Sequence, residues 1–471
     1  MTWNFKDFNG NTAIIQEDGS KVAYADLLTA SDKLVKQIGK RALVCNLCSN
    51  TTGSLLGYIA FLEHKIVPFL AEAGLSRELL DLLLSNYKPD YLWCPSGMVE
   101  DFPGALEVYS DFDYSLLKTT YFEEYPLYDE LALLLTTSGS TGSPKLVRQS
   151  YENIKANTAS IVEYLKLDAK ERPITTLPMS YTYGLSILNT HLYAGASIIL
   201  TDKTMMQREF WQQFKQYEAT SFGGVPYNYE ILDKLRFLQM ELPSLRTMTQ
   251  AGGKLSPELH KKFAEYAQEK GKNFVVIYGQ TEATARMSYL PPDKALEKYG
   301  SVGIAIPGGN LSLIDTDGNT INEPDTVGEL VYDGKNVTLG YAQCGEDLAK
   351  EDERNGILYT GDMAKQDEDG FFYIVGRRNR FLKIFGKRVN LDEVERMLKT
   401  SFSDTDFACG GQDDKMYVFL TGSSSLDDVK KYLAEITKLN PITFQVIKIN
   451  QIPRNDSGKV IYRELDKYYA S

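Results

Sequence analysis

Apolar residues recur at helical spacing from Ala25 to Ile38, and the short apolar run Ala42 to Leu47 that follows reads as a buried strand. The alternation repeats along the chain. Leu80 to Leu84 is helical, Tyr91 to Cys94 strand-like, and Leu131 to Leu135 a continuous apolar run that ends in a polar, glycine-rich loop. Further strands are expected at Ser197 to Leu200, Phe274 to Tyr278, Glu329 to Tyr332 and Phe371 to Val375. Helices alternating with buried strands indicate an α/β protein with layered sheets.

The pattern changes near Gly376. A strand and turn are expected at Lys383 to Val389, then a helix from Asn390 whose capping box pairs Asn390 with Glu393, a strand at Met416 to Leu420, a helix after Ser425 and a strand at Phe444 to Ile449. The expected architecture is a large N-terminal multi-sheet α/β domain, residues 1–376, followed by a small α+β C-terminal domain, residues 377–471.

Composition adds a charge asymmetry. The 471-residue chain is 43% hydrophobic, which excludes disorder, and its net charge is −12. From Arg377 onward there are 17 Lys+Arg against 13 Asp+Glu, a net of +4 beside about −16 for the rest. A basic section on an acidic body suggests a unit that meets an anion. The overall acidity, with a pI near 5.0, argues against a nucleic-acid or anionic-membrane partner. No run of about 18 apolar residues or secretory pattern is found, and the five cysteines are few and mostly far apart, so no membrane span and a cytoplasmic location are expected. Cys45-x-x-Cys48 has redox or zinc spacing, but it lies in an apolar strand without a second ligand pair and reads as core packing.

The most distinctive chemistry lies in the loop Thr136-Thr137-Ser138-Gly139-Ser140-Thr141-Gly142-Ser143-Pro144-Lys145. Glycines, hydroxyls and a lysine can surround a phosphate chain, although the order is not that of a Walker loop. Four other segments follow at wide spacing: Tyr278-Gly279-Gln280-Thr281-Glu282, Tyr359-Thr360-Gly361-Asp362, Gly376-Arg377 leading to Lys383 and Gly386, and Pro453-Arg454-Asn455-Asp456-Ser457-Gly458-Lys459. Together the five segments resemble the adenylate-forming superfamily, which includes acyl-CoA synthetases, peptide-synthetase adenylation domains and luciferases. The resemblance runs from about Tyr24 to Lys459.

The resemblance implies ATP and Mg²⁺ as cofactors and a role for each matching residue. Thr137, Ser138, Gly139, Ser140, Thr141, Gly142 and Lys145 would hold the β- and γ-phosphates. Tyr278, with Gly279 beside it, would stack on adenine, Thr281 would contact the α-phosphate, and Glu282 would hold Mg²⁺. Asp362 would accept from both ribose hydroxyls, with Arg377 near ribose and phosphate. Lys459 would bridge the attacking carboxylate and the α-phosphate, where charge accumulates. Gly386, in the Lys383 to Lys387 turn, would line a pantetheine passage. The small domain would be mobile about Asn379, which stands where the family usually has Asp or Lys.

The acid would sit beside Tyr181, Thr182, Tyr183 and Gly184, with Phe222, Gly223, Ala251, Gly252 and Gly253 as further walls. Thr182 stands where amino-acid-activating members carry Asp, which disfavours an α-amino acid; Tyr181 stands where many acyl- and aryl-CoA ligases carry His. The wall glycines are expected to leave room near the backbone, favouring an apolar or aromatic acid. The activity implied is activation of a small-molecule carboxylic acid as acyl-adenylate with loss of pyrophosphate. Transfer to a thiol would follow, of CoA or of the phosphopantetheine on an acyl or peptidyl carrier protein. Two rivals are an amide synthetase using an amine acceptor, and a non-catalytic adenylate- or acyl-binding protein, which would be expected to lack Lys459 or Glu282.

Overall fold

The computed structural model describes residues 3–123, 125–136, 145–385, 387–412, 414–454 and 460–469. The chain divides into two compact units. One holds the described residues up to Asn310 together with Tyr332–Leu358; the other holds Leu311–Val331 and the described residues from Tyr359 onward.

The first unit is built on an eight-stranded sheet in the order Gly340–Ala342, Leu146–Ser150, Leu131–Thr136, Val67–Glu72, Leu43–Cys48, Tyr91–Pro95, Tyr114–Lys118 and Leu106–Asp111. The apolar runs of the sequence form its centre, where Leu43–Cys48 pairs in parallel with both Val67–Glu72 and Tyr91–Pro95. A second sheet starts with three parallel strands, Ser221–Gly224, Thr247–Gln250 and Asn273–Tyr278, and ends with two short antiparallel ones, Ser288–Tyr289 and Ile304–Ala305. Cys45 and Cys48 are buried and free in the core of the first sheet, as their apolar setting indicated. No described helix is long and apolar enough to cross a membrane.

One helix of this unit has no amphipathic signature. Thr52–Glu63 is buried along nearly its whole length, so no polar face marks it in the sequence. Gly53 and Gly57, one turn apart, let it press onto the sheet. Trp93 Nε1 donates to the Gly53 carbonyl at 2.8 Å, and the Trp93 ring lies where a side chain on Gly57 would go.

The second unit carries the sheet that ends in Ile357–Gln366 and Phe372–Arg377, paired antiparallel with Asp362 opposite Arg377. The C-terminal elements follow: the hairpin Phe381–Ile384 and Lys387–Asn390, the helix Leu391–Ser401, the paired strands Asp406–Gln412 and Lys415–Thr421, the helix Leu426–Thr437 and the strand Phe444–Lys448. Each lies within a few residues of its expected place except Asp406–Gln412, a strand that the sequence pattern does not mark. The capping box at Asn390 is only half formed. Asn390 Oδ1 accepts from the backbone N–H groups of Asp392 and Glu393 at 3.0 and 3.3 Å, but Glu393 turns to Arg396 instead of back to Asn390. The Asn390 amide donates to the Val375 carbonyl at 2.6 Å, binding the helix start to the strand that precedes it.

The close approach at Gly57 is open to test. Gly57→Ala gains about 1 kcal/mol of helix propensity, but the added methyl collides with the Trp93 indole, and overpacking of this kind costs about 1–3 kcal/mol. A lowered Tm or denaturant midpoint is expected; an unchanged or raised one would show that the helix can lift off the sheet freely.

Candidate active site

Three parallel strands of the first unit end at a common edge. Gly224 is in register with Gln250, and Gln250 with Val276, so the segments Val225-Pro226, Ala251-Gly252-Gly253 and Tyr278-Gly279 leave the sheet side by side. A crevice at the carboxyl ends of parallel strands is where α/β sheets bind ligands. The structure thus gathers the motif Tyr278 to Glu282 and two of the expected acid walls at one place.

After Tyr278 the chain turns through the 3-10 segment Thr281–Ala283 and doubles back beneath itself. A methyl group on Gly279 would fall on the Ala285 carbonyl oxygen, so only glycine fits there. Thr284 and Ala285 take left-handed backbone values, φ 53° and 97°. Such values outside glycine are unfavourable and persist where surrounding contacts impose them. Here the Ala283 carbonyl accepts from Asn336 at 2.8 Å, and Thr284 Oγ1 donates to the Asn336 carbonyl at 2.7 Å.

This turn presents Glu282 to a cluster that sequence reasoning missed. Tyr341, on the strand Gly340–Ala342, donates its hydroxyl to Glu282 Oε1 at 2.7 Å. The Lys145 ammonium lies 3.4 Å from the Tyr341 ring centroid, and the Arg354 guanidinium 4.7 Å from it. Arg354 also donates to the Glu282 carbonyl at 3.1 Å. Burial, then the neighbouring Glu282 charge, push the Tyr341 phenol up to about 12, so it remains a donor at neutral pH. Glu282 Oε2 has no hydrogen-bond partner among the described residues. No three His, Cys, Asp or Glu side chains converge as a metal cage among the described residues. A single carboxylate with one oxygen to spare fits Mg²⁺, which keeps phosphate and water oxygens as most of its ligands.

The expected acid walls come together around the helix Thr182–Tyr193. The Tyr183 hydroxyl bonds Thr249 Oγ1 at 2.7 Å. A side chain on Gly223 would meet Tyr183 and Ile187, and one on Gly252 would meet the Tyr181 hydroxyl. The space above these glycines is therefore taken by the protein's own tyrosines, which corrects the expectation of open room there. Gly184 packs against the Pro178 carbonyl at the helix start, and Gly253 against Pro226. Phe222 is turned the other way, into an aromatic cluster with Phe214 and Phe237, because successive strand residues point to opposite faces. Of that pair only Gly223 faces the helix.

In the second unit Asp362 is buried. Its carboxylate pairs with Arg377 Nε at 3.3 Å, and its backbone N–H donates to Thr360 Oγ1 at 3.0 Å. Gly361 takes φ 70° in the same bend. Asn379 lies in the 3-10 turn Arg378–Arg380. Thr137, Ser138, Gly139, Ser140, Thr141, Gly142, Gly386 and Lys459 lie outside the described residues.

A family model described as AMP-binding enzyme matches residues 2–342. The peroxisomal OPC-8:0-CoA ligase 1 of Arabidopsis thaliana is 30% identical over 73% of this chain and 65% of its own length, so the chain spans less than two thirds of that relative. The 2-succinylbenzoate–CoA ligase of Oceanobacillus iheyensis is 26% identical over 97% of this chain and 96% of its own. Among solved structures, o-succinylbenzoate coenzyme A synthetase from Bacillus subtilis in complex with AMP superposes with a TM-score of 0.79 at 22% identity, covering 98% of this chain and 96% of that one. That likeness confirms an α/β fold with a large N-terminal and a smaller C-terminal domain.

A buried carboxylate in a bend suits two neighbouring hydroxyls, and the role expected of Asp362 can be measured. Asp362→Ala should weaken ATP binding by about 10- to 100-fold, the usual worth of a hydrogen bond to a charged group. Wild type should also bind 2′-deoxy-ATP poorly, and the mutant should lose little more on that substitution. Fully additive losses, read by calorimetry, would mean that Asp362 does not meet the 2′-hydroxyl.

Proposed function

We propose a function from one premise: the chain belongs to the AMP-binding enzyme family. It is an AMP-forming acid–thiol ligase. The observation that carries this reading is the meeting of Glu282 with Lys145, Tyr341 and Arg354 at the carboxyl edge of parallel strands, where a carboxylate and two cations surround one tyrosine. Such a site offers charge to both phosphate and a hard cation. The names of the relatives, which are CoA ligases, point the same way.

A carboxylate oxygen of the acid bonds to the α-phosphorus of ATP. The bond from that phosphorus to the bridging oxygen breaks, and pyrophosphate leaves. Lys145, fixed over the Tyr341 ring, and Lys459 supply positive charge to phosphates and to the meeting point of the two anions. Glu282, with its spare oxygen, would hold Mg²⁺, which would supply charge neutralisation at the phosphates. Tyr341 fixes the direction of the Glu282 carboxylate. Thr281 lies beside Glu282 in the turn and offers a hydroxyl to the α-phosphate. Asp362 holds the ribose. The thiol of CoA then attacks the acyl carbon and AMP leaves. The small domain turns about Asn379 between the two steps, exchanging Lys459 for the passage beside Gly386.

Lys459→Ala tests the first half-reaction. Removal of a positioned charge of this kind costs about 10²–10³-fold in rate. Acid-dependent pyrophosphate release should fall by that factor, while supplied acyl-adenylate is still converted to thioester. Release at a near wild-type rate would remove Lys459 from the mechanism.

A further inference from the structure

Three arginines are buried among the described residues: Arg148, Arg286 and Arg380. Two have carboxylate partners. Arg148 pairs with Glu353, and Arg380 with both Asp392 and Glu395. Arg286, 2% exposed, has none within ion-pair distance among the described residues. Its Nε donates to Ser186 Oγ at 3.2 Å and one terminal nitrogen to the Tyr164 hydroxyl at 3.0 Å, and both acceptors are neutral. Its guanidinium carbon lies 5.4 Å from the Tyr183 ring centroid. The Tyr164 ring is in turn held by stacking on Tyr289 at 4.1 Å.

An arginine cannot shed its proton to relieve burial, and an uncompensated buried charge is costly. A site that keeps one without a counter-ion is completed by an anion from outside. The neighbourhood favours a ligand over a purely structural role. Ser186, which accepts from Arg286, lies one helical turn beyond Thr182 of the expected acid wall. Tyr183, which covers Arg286, is the same ring that sits over Gly223 in the acid wall. His191 adds no second charge: burial, with help from Arg286, pushes its imidazole down to about 4, so it is neutral at pH 7. The site therefore presents a single positive charge, beneath the wall against which the acid lies.

We propose that Arg286 receives a second carboxylate of the substrate, so that the acid this protein activates is a dicarboxylate. One carboxylate attacks phosphorus, and the other replaces the hydroxyls of Ser186 and Tyr164 on the guanidinium. The proposal rests on the ligase reading above and narrows it to one substrate class. Arg286 is missed in the sequence because its partners are a hundred residues away or more: Ser186 by 100 and Tyr164 by 122.

The test is pyrophosphate release from the full chain with ATP and Mg²⁺, across aliphatic and aromatic diacids, each beside its monomethyl ester. Wild type should favour at least one diacid over its ester by about 100-fold or more in kcat/KM, the scale of leaving a buried charge unpaired. Arg286→Met, which fills similar volume without charge, should collapse that ratio to within a few-fold of one; Arg286→Lys should retain part of it. Thermal unfolding of each variant accompanies the assay, and the wild-type ratio stands even if a variant fails to fold. Preference for esters over their diacids in wild type, or an Arg286→Met variant that keeps the ratio, overturns the dicarboxylate assignment and leaves the ligase reading intact. Pyrophosphate release with none of the acids overturns both.

Discussion

A guanidinium sealed from water must find acceptors for its donors, and in the first unit that requirement organises the surroundings of Glu282. Arg148, on the strand Leu146–Ser150, is wholly buried. Its donors are taken by the carbonyls of Leu339, Tyr341, Lys350 and Glu351 and by the Glu353 carboxylate. No solvent can substitute for any of these, so the segment 339–353 is drawn onto the strand in one arrangement. Tyr341 then falls opposite Val147, two residues from Lys145, and the stack of lysine, tyrosine and arginine beside Glu282 follows from that register. The glycine at 340, with φ 131°, keeps the backbone close to the Arg148 side chain.

The second unit solves a similar problem at the junction before its C-terminal elements. Arg380 is enclosed by Asp392, Glu395 and the Cys409 carbonyl, and the Tyr462 ring lies 3.7 Å from its guanidinium. Burial raises the Glu395 carboxyl despite the opposing pull of Arg380, and it is the Arg380 charge that keeps this buried acid paired. On the other side of Asn379, Arg378 pairs with Glu329, the Arg377 N–H donates to Asp392 and the Asn390 amide to Val375. These bonds, each worth about 0.5–1.5 kcal/mol, tie the residues around Asn379 to Glu329, Asp392 and Asn390.

Much of the fold was legible because its strands are continuous apolar runs closed by polar or glycine-rich loops; Leu43–Cys48 and Asn273–Tyr278 lie within a residue or two of the runs that announce them. The helix Thr52–Glu63 was not, since burial on every side removes the periodicity that marks a helix. The motif residues were legible as a local string, and the turn after Tyr278 shows why the string is needed. What the sequence hid is pairing over distance. Tyr341 and Arg354 stand 59 and 72 residues beyond Glu282 and carry no local signature. The wall glycines misled for a related reason: a missing side chain marks a close approach, and whether ligand or protein makes it is decided by Tyr181 and Tyr183.

The self-crossing at Gly279 has a consequence for how this protein can diverge. Between Tyr278 and Arg286 the chain leaves the sheet, makes one tight turn and passes back against its own backbone, with two non-glycine residues held left-handed. A loop closed on itself in this way has a fixed length. An added or deleted residue would lift the carbonyl of Ala285 away from Gly279 and shift Arg286 and Glu282 relative to each other. Insertions and deletions, the ordinary currency of loop evolution, are therefore barred from this segment. Point substitutions are left as the means by which this segment can change while the placement of Glu282 is kept.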